Sequence, residues 1–354
     1  MYNIISPINS LGYGIAGLNI AKELDKISPV SLWPIGQPSV ASKGDYEAVS
    51  DMIKNSRVPD FDADCIRIWH QHDMSQFVGR GKRVGFPIFE LDTFNDVERH
   101  HLNSLDVILV CSSWARDVIL DQTELQEENV HVVPLGVDSD IFSPVEKNNH
   151  EKTIFFNCGK WEVRKGHDVI VEAFNRAFST DDDVELWMMC ENPFYSEEEE
   201  KKWVDLYKTS VLGDKIKLIG RVESHQEVYN IMAKSDCGVF PARAEGWNLE
   251  LLEMMSCNKP VIATNYSAHT EFCDDKNCML VDIEDMEMAY DGKWFDGKTG
   301  KWASLDEPQI NQLAGYMSKV HTEQIKDNPN GVNTAKKFTW EYSACKIIEA
   351  LRNV

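Results

Sequence analysis

Short apolar runs alternate along the chain with polar stretches and with stretches of helical spacing. Such runs, bounded by turn-forming residues, are typical of strands buried on both faces of a parallel sheet. In the first part of the chain they occupy residues 2–8, 30–33, 65–69, 84–89, 107–111 and 130–135. In the second part they occupy 153–157, 184–190, 216–219, 237–240, 260–263 and 279–282. The alternation predicts two successive α/β arrays, each a doubly wound sheet.

A charged segment rich in helix- and strand-breaking residues, 138–152, separates the two arrays. The chain has 354 residues, and a single hydrophobic core stops growing at about 250 to 300. We therefore predict an N-terminal domain at 1–145 and a C-terminal domain at 146–335, with ligands bound in the cleft between them. The tail, 336–354, has helical spacing. Residues 290–303 carry three glycines and two tryptophans, which predicts a turn-rich hairpin.

The composition is that of a globular protein, with 43% hydrophobic and 27% charged residues. No stretch approaches the roughly 18 apolar residues of a membrane span, and the N-terminus lacks the pattern of a secretory signal. The nine cysteines include no CxxC pair, which favours reduced thiols in the core over disulfides or a zinc site. We therefore expect a soluble, cytoplasmic protein.

The net charge is −22, from 58 acidic and 36 basic residues. This charge repels nucleic acid and anionic membranes, so a phosphorylated ligand needs a positive pocket of its own. Residues 78–84, VGRGKRV, form one basic segment that could hold a phosphate-bearing acceptor, DNA included. An ordinary solvated loop is the preferred interpretation, because three positive charges are few against the total.

The most informative segment is 241–253, PARAEGWNLELLE, which lies between two predicted strands. Glu245 falls in the loop, Asn248 is the predicted helix cap, and Glu253 lies inside the following helix, so both carboxylates can face one site. Backbone amides at the start of this helix are expected to attract phosphate or polarised hydroxyls. They belong to Gly246, Trp247, Asn248 and Leu249.

A second segment, 157–168 or NCGKWEVRKGHD, follows a predicted strand and leads into a helix. A departing nucleoside diphosphate accumulates negative charge and needs a preorganised cationic clamp when no metal is present. Lys160 and Lys165 are the candidates for this clamp, and Arg164 is the alternative to Lys160. Near the N-terminus, Gly14 follows a strand and would let the backbone approach a diphosphate or an acceptor closely.

These segments, in this order, resemble glycosyltransferase family 4, whose two Rossmann-like domains form the GT-B architecture. The resemblance implies a retaining, metal-independent transferase that uses a nucleotide sugar, with UDP expected and GDP or ADP as alternatives. It implies that Glu245 contacts the transferred sugar and that Glu253 contacts the ribose hydroxyls. The main chain at Arg221 and Val222 would recognise the base. It also implies that the C-terminal helix crosses back to the N-terminal domain.

Two histidines follow the predicted strand at 65–69. The resemblance implies that one of them approaches the sugar and the acceptor, and we favour His72 over His70. No Asp-x-Asp follows a strand, and no His and Cys residues are paired at ligand spacing, so we predict no metal and no permanently bound cofactor.

The sequence leaves the acceptor open between a saccharide, a lipid and a small metabolite, and it does not predict the oligomeric state. Alternatives to this transferase are a phage-type DNA glycosyltransferase that acts on hydroxymethylated bases, a sugar-nucleotide epimerase, and a non-catalytic GT-B binding protein. Asparagine replaces the family's usual glycine at positions 248 and 258, and such departures are the reason to keep the non-catalytic alternative.

Overall fold

A computed structural model describes residues 1–146 and 151–353. The chain divides into two compact units, Met1–Gly136 with Phe338–Val354, and Val137–Lys337. Each unit contains one six-stranded sheet in which all paired strands are parallel. This architecture confirms the two doubly wound arrays predicted from the apolar runs. These units meet after Gly136 and after Lys337, whereas the sequence predicts domain boundaries after residues 145 and 335. The predicted boundaries stay predictions.

The first unit has the strand order β2-β1-β3-β4-β5-β6. Its strands are β1 (Tyr2–Ser6), β2 (Val30–Pro34), β3 (Cys65–Ile68), β4 (Arg83–Phe86), β5 (Val107–Val110) and β6 (Val130–Val132). Its first four helices are α1 (Gly12–Ile27), α2 (Lys43–Asn55), α3 (Asp96–Asn103) and α4 (Ser113–Gln122). All four residues of β5 are buried, as expected for a central strand covered on both faces.

Helix α1 begins at Gly12. Gly14, which the sequence singles out for a close approach of the backbone, therefore lies in the first turn of this helix. A Cβ added to Gly14 would lie 2.4 Å from the backbone N and O of Asn9. Glycine is needed here because the helix packs directly against the loop that follows β1.

The second unit has the strand order β12-β11-β10-β7-β8-β9. Its strands are β7 (Thr153–Gly159), β8 (Val184–Cys190), β9 (Ile216–Leu218), β10 (Cys237–Phe240), β11 (Val261–Thr264) and β12 (Met279–Val281), with a separate antiparallel pair, β13 (Met286–Tyr290) and β14 (Asp296–Ala303). Its helices are α5 (His167–Ala177), α6 (Glu197–Lys208), α7 (His225–Lys234), α8 (Leu249–Ser256), α9 (Glu307–Thr322) and α10 (Pro329–Ala335). The antiparallel pair confirms the predicted hairpin, although its first strand starts earlier than predicted.

The central strands of the second unit, β7 and β10, are hydrogen-bonded neighbours. Parallel strands end at the same edge of a sheet, and this carboxyl edge is where ligands bind in doubly wound folds. The loops that follow these two strands are the predicted phosphate segment and the loop of Glu245. The topology therefore brings the two most informative sequence segments together.

The tail forms helix α11 (Trp340–Asn353) and belongs to the first unit. Its Ser343 hydroxyl donates a hydrogen bond of 2.6 Å to the backbone O of Pro134. A Cβ on Gly136 would lie 2.2 Å from the backbone N of Trp340, so the two segments are in close contact. The helix thus packs on the first unit, as the sequence predicts.

Eight of the nine cysteines are buried, and all nine are free thiols. Within the described residues, no helix combines the length and the apolar character needed to cross a bilayer.

Candidate functional site in the second unit

The loops after β7 and β10 touch each other through backbone atoms. The N–H of Arg243 donates to the carbonyl of Arg164 at 2.6 Å. A Cβ on Gly166, whose φ is +72°, would lie 2.0 Å from the carbonyl oxygen of Pro241. Gly159, at the end of β7, lies against the Lys165 side chain, whose carbons come within 3.3 Å of a Cβ built there. Glycine at 166 therefore allows the two loops to close against each other, and glycine at 159 leaves room for the Lys165 side chain of the same loop.

Five charged side chains in these loops form a continuous series of contacts with alternating sign, which we call the ion-pair chain. Lys160 contacts Glu162 at 2.8 Å, and Glu162 contacts Arg164 at 2.7 Å. Arg164 then contacts Glu245 at 2.9 Å, and Glu245 contacts Lys165 at 2.8 Å. The structure thus brings together the four residues Lys160, Arg164, Lys165 and Glu245, which the sequence singles out in two separate segments.

Glu245 and Lys165 are both charged in this setting. Burial opposes ionisation of Glu245, but the adjacent Arg164 and Lys165 hold its pKa well below the usual range. Burial also disfavours the ammonium of Lys165, yet Glu245 and Glu250 keep its pKa above the ordinary value. Each oxygen of the Glu245 carboxylate is bonded to a different cation. Glu245 is therefore a fixed negative charge rather than a proton donor.

The loop of Glu245 is held at its start and at its end. The backbone N–H of Glu245 donates to the Ser267 hydroxyl at 2.9 Å. The side chain of Asn248 accepts from the N–H of Leu251 at 3.1 Å, which confirms the predicted cap of α8. Asn248 has a φ of +83°, a region where glycine is favoured and asparagine is the usual substitute. The departure from the family's glycine is therefore compatible with an intact loop.

The amide of Asn248 also contacts a buried histidine. Its nitrogen donates to Nε2 of His269 at 2.9 Å, while Nδ1 of His269 donates to the carbonyl of Thr264 at 3.0 Å. Burial lowers the pKa of His269, so the ring is neutral and connects the helix cap to the end of β11. His269 was not predicted from the sequence, because its partners lie in separate segments.

Glu253 lies inside α8 and is only 8% exposed. In contrast to Glu245, its carboxyl group makes no hydrogen bond or ion pair with any residue that the structure describes. Burial, reinforced by Glu250 and Asp138, raises its pKa well above the ordinary value. The raised pKa favours the protonated form of Glu253, an acid that can both donate and accept a hydrogen bond.

His167 supports the loop that carries the lysines, and it too was not predicted. Its Nδ1 accepts from the backbone N–H of Glu162 at 3.1 Å, and its Nε2 contacts the side-chain O of Asn157 at 2.9 Å. Asn157 in turn donates to the carbonyl of Val239 at 2.7 Å. Burial lowers the pKa of His167 to about 3. The neutral ring, with its proton on Nε2, thus links the loop to both central strands.

Arg243 is a second unpredicted support. Its guanidinium bonds both oxygens of Asp168, at 2.7 and 2.8 Å, and the carbonyl of Val163 at 2.7 Å. Its Nε donates to Glu287 of the hairpin at 2.8 Å. One buried side chain therefore joins the lysine loop, the loop of Glu245 and the base of β13.

The other predicted residues of this unit differ in how far they are exposed. Gly246, Trp247 and Leu249 are buried. Arg221 is exposed and Val222 is half-buried, and the backbone N–H of Arg221 donates to the carboxylate of Glu191 at 3.3 Å. The structure therefore places Arg221 and Val222 after β9, in a loop connected to the end of β8.

Gly14, His70 and His72 lie in the first unit. The two histidines follow β3, and their rings are stacked with centroids 5.3 Å apart. His72 is exposed, whereas His70 packs edge-on against Tyr13. The Tyr13 hydroxyl donates to the carbonyl of Ile88 at 2.6 Å and accepts from its N–H at 3.0 Å. Tyr13, which the sequence did not single out, thus joins the first turn of α1 to the loops after β3 and β4.

The basic segment 78–84 lies at the amino edge of the first sheet, because it leads into β4. Arg80 pairs with Asp62, and the Lys82 ammonium donates to the carbonyl of Leu351 at 3.0 Å. Ligands of such sheets bind at the opposite, carboxyl edge. This placement favours the solvated-loop interpretation over a nucleic-acid site.

Within residues 1–146 and 151–353, no group of three or more His, Cys, Asp and Glu side chains is placed to hold a metal ion.

Two units, each with a six-stranded parallel sheet covered by helices, define the class of α/β proteins with two doubly wound domains. In the second unit, buried cations and carboxylates lie at the carboxyl edge of the sheet. Residues 151–291 match the family described as Glycosyl transferases group 1. The GPI3 subunit of phosphatidylinositol N-acetylglucosaminyltransferase from Saccharomyces cerevisiae is 22% identical over 173 residues, which are 46% of this chain and 36% of that protein. The chain thus spans well under half the length of this curated relative.

Solved structures match over the whole chain. Sucrose-phosphate synthase from Thermosynechococcus elongatus has a TM-score of 0.73 at 15% identity, covering 99% of this chain and 98% of that one. HepE from Anabaena, in complex with UDP-glucose, has a TM-score of 0.71 at 14% identity, covering 100% and 99%. These likenesses and the family match confirm the GT-B fold and the predicted resemblance to glycosyltransferase family 4.

Proposed function

We propose that the chain is a retaining glycosyltransferase that moves a sugar from a nucleoside-diphosphate donor to a hydroxyl group of an acceptor, without a metal ion. The observation that carries the proposal is the position of Glu245. It is fixed between Arg164 and Lys165 at a carboxyl sheet edge, close in sequence to the N-terminus of α8. The neighbour HepE was solved with UDP-glucose, which supports a UDP-sugar donor, with GDP and ADP as alternatives.

The cations of the ion-pair chain supply the charge that the leaving group requires. Lys160 and Lys165 are its two ends, and the start of α8 adds backbone amides and the positive end of the helix dipole. A departing diphosphate would be stabilised by these groups as negative charge accumulates on it. Arg164 is buried and bonded to both carboxylates of the chain, so we assign it to holding Glu245 rather than to direct contact with phosphate.

The state of Glu245 bears on the stereochemistry. In retaining glycosidases a carboxylate attacks the sugar and forms a covalent intermediate. Here both carboxylate oxygens are already bonded to cations, which makes Glu245 a poor nucleophile. In the proposed reaction the acceptor oxygen bonds the anomeric carbon on the face that the diphosphate leaves. The bond from that carbon to the phosphate oxygen breaks, and the acceptor proton passes to the departing diphosphate.

The remaining assignments follow the same scheme. The uncharged acid of Glu253 would bond the ribose hydroxyls, and the loop at Arg221 and Val222 would contact the base. In the first unit, His72 and the backbone at Gly14 would face the sugar and the acceptor. The N-terminal domain, 1–145, would then bind the acceptor, which we propose to be a saccharide, a lipid or a small metabolite in the cytoplasm.

Donor binding gives the direct test. Purified protein is screened by thermal unfolding against UDP-, GDP- and ADP-sugars, and we expect one nucleotide class to raise Tm. NMR of the products formed from that donor then identifies the reaction. Transfer or slow hydrolysis with retained anomeric configuration supports the proposal, whereas an epimerised nucleotide sugar contradicts it.

Two variants test whether turnover depends on the proposed site. Glu245→Ala is expected to abolish turnover, whereas Glu172→Ala, which removes an exposed carboxylate on α5 that pairs with Arg176, is expected to leave turnover unchanged. Normal turnover by Glu245→Ala would show that the site has been placed wrongly.

A further inference from the structure

Glu162 is the member of the ion-pair chain that the proposed reaction does not use. Glu162 is buried, and its carboxylate lies between Lys160, at 2.8 Å, and Arg164, at 2.7 Å. Its backbone N–H is fixed by the neutral ring of His167. Burial disfavours its charge, but Arg164 and Lys160 lower its pKa, so it is ionised. A fixed negative charge therefore stands between two cations of a proposed phosphate site.

This charge works against binding of a diphosphate. The ion-pair chain contains three cations and two carboxylates, so its net charge is 3 − 2 = +1. Without Glu162 the same residues would carry +2. Since phosphate oxygens are attracted by cations and repelled by a carboxylate, Glu162 lowers the attraction of the site for the donor and for the diphosphate product alike.

The five members differ in how free they are to move. The side chains of Glu162, Arg164 and Glu245 are 5%, 6% and 7% exposed, and that of Lys165 is 11% exposed. The side chain of Lys160 is 33% exposed. Its ammonium lies 5.6 Å from the centre of the exposed Phe194 ring. Lys160 is therefore the member that can exchange its partner without unpacking the loop.

We propose that Glu162 is a positioning residue, the resident counter-ion of Lys160. It holds the ammonium of Lys160 in the donor-free protein and releases it to the diphosphate when the donor binds. Throughout, Glu162 keeps Arg164 in place behind Glu245. This inference rests on the proposed function, because it takes the ligand of Lys160 to be a diphosphate. No covalent bond changes; one ion pair replaces another.

The exchange has a consequence for product release. When the sugar has been transferred, the nucleoside diphosphate must leave a site lined by cations. Re-forming the contact between Lys160 and Glu162 compensates for the lost contact with phosphate, so the carboxylate favours departure. A neutral side chain at position 162 should therefore bind the product more tightly and slow its release.

The test is calorimetric titration of the nucleoside diphosphate that stabilises the wild-type protein. We expect Glu162→Gln to bind it at least about fivefold more tightly, the scale expected for removing one unit charge about 4 Å away even at the dielectric constant of bulk water. The gain should shrink in high salt. It should also be smaller when Glu162→Gln is added to Lys160→Met than when it is added to the wild type, because part of it acts through Lys160. Glu162→Asp keeps the charge and should bind like the wild type.

The matched control is Glu185→Gln. Glu185 also pairs with a lysine, Lys152, at 2.7 Å, but it lies near the amino end of β8, away from the carboxyl edge. The control changes the net charge of the protein equally and should leave the dissociation constant unchanged. Circular dichroism and thermal unfolding confirm that each variant is folded.

A crystal structure of the wild-type protein with the same nucleoside diphosphate tests the inference without a variant. We expect Lys160 Nζ more than 4 Å from the Glu162 carboxylate and in contact with a phosphate oxygen. If Lys160 stays on Glu162, or if folded Glu162→Gln binds no more tightly than the wild type, the inference is wrong. If no nucleoside diphosphate binds the wild type, the proposed function itself fails.

Discussion

Replacing His167 with glutamine removes a titratable group from beneath the lysine loop while keeping both of its hydrogen bonds. The side-chain O of glutamine can accept from the N–H of Glu162, and its amide can donate to Asn157, as the two ring nitrogens do. His167 is fully buried, and its pKa is lowered to about 3 in the folded protein. In the unfolded chain it returns to about 6.5.

The size of the effect on stability follows from the difference between the two pKa values of His167. Below pH 6.5 the unfolded state takes up a proton that the folded state excludes, so the contribution of His167 to stability is complete above pH 6.5 and is lost as the pH falls towards 3. Each pH unit corresponds to about 1.36 kcal/mol. Between pH 6.5 and pH 5 the wild-type protein should therefore lose about 2 kcal/mol through this residue alone.

Chemical denaturation at pH 8, 7, 6 and 5 measures the effect. The free energy of unfolding of the wild type should fall with pH more steeply than that of His167→Gln, by about 2 kcal/mol over the range. Other buried groups with lowered pKa values, His269 among them, are common to both proteins and cancel in the difference. His100→Gln, which alters an exposed histidine on α3, should not change the slope. Parallel pH profiles for His167→Gln and wild type would refute the reasoning.

Glu245→Gln leaves two buried cations without their carboxylate, and it should destabilise the protein by about 3 to 5 kcal/mol as well as abolish transfer. The double variant with Lys165→Met should regain part of the stability in denaturation but none of the activity, and a stable, active Glu245→Gln would contradict the assignment. Asn248→Gly should be tolerated because φ at this position is +83°. Asn248→Ala should lower the free energy of unfolding by about 1 to 2 kcal/mol through backbone strain and the lost helix cap. Equal melting temperatures for the two variants would refute this expectation. Burial raises the pKa of Glu253, so donor affinity should fall as the pH rises through that pKa and Glu253 ionises beside the diphosphate. Donor titrations at several pH values should show no such fall for Glu253→Gln. Identical pH profiles for this variant and the wild type would refute the role assigned to Glu253.

The fold could be predicted because each sheet is central and covered on both faces. Strands such as β5 are buried throughout, and their apolar runs therefore stand out from the sequence. The sequence singles out Gly14 for a close approach of the backbone to a ligand, and the structure shows a close approach within the protein itself, where α1 packs on Asn9. The need for glycine was visible; its cause depends on a tertiary contact.

The site was predictable only in part, for a similar reason. The motif spacing identifies Glu245 and Lys165, but it gives no sign that they bond each other across 80 residues of sequence. The supports are equally distant. Arg243 reaches Asp168 across 75 residues, and the amide of Asn157 reaches Val239 across 82. Such partners depend on strand order, which periodicity does not specify.

Glu245 and Glu253 show how far a motif determines chemistry. Their spacing places one carboxyl group in the loop and the other in α8, both buried. Their neighbours then shift the two pKa values in opposite directions: two cations keep Glu245 ionised, whereas burial and two nearby acids raise the pKa of Glu253 and favour its protonated form. A charged carboxylate suits a fixed role beside a sugar whose ring becomes positive, and a neutral acid suits hydroxyl groups close to a diphosphate. The proposed division of labour between the two glutamates therefore depends on the loops packed around them. The loop after β7, which supplies both cations of Glu245, contributes as much to it as the motif itself.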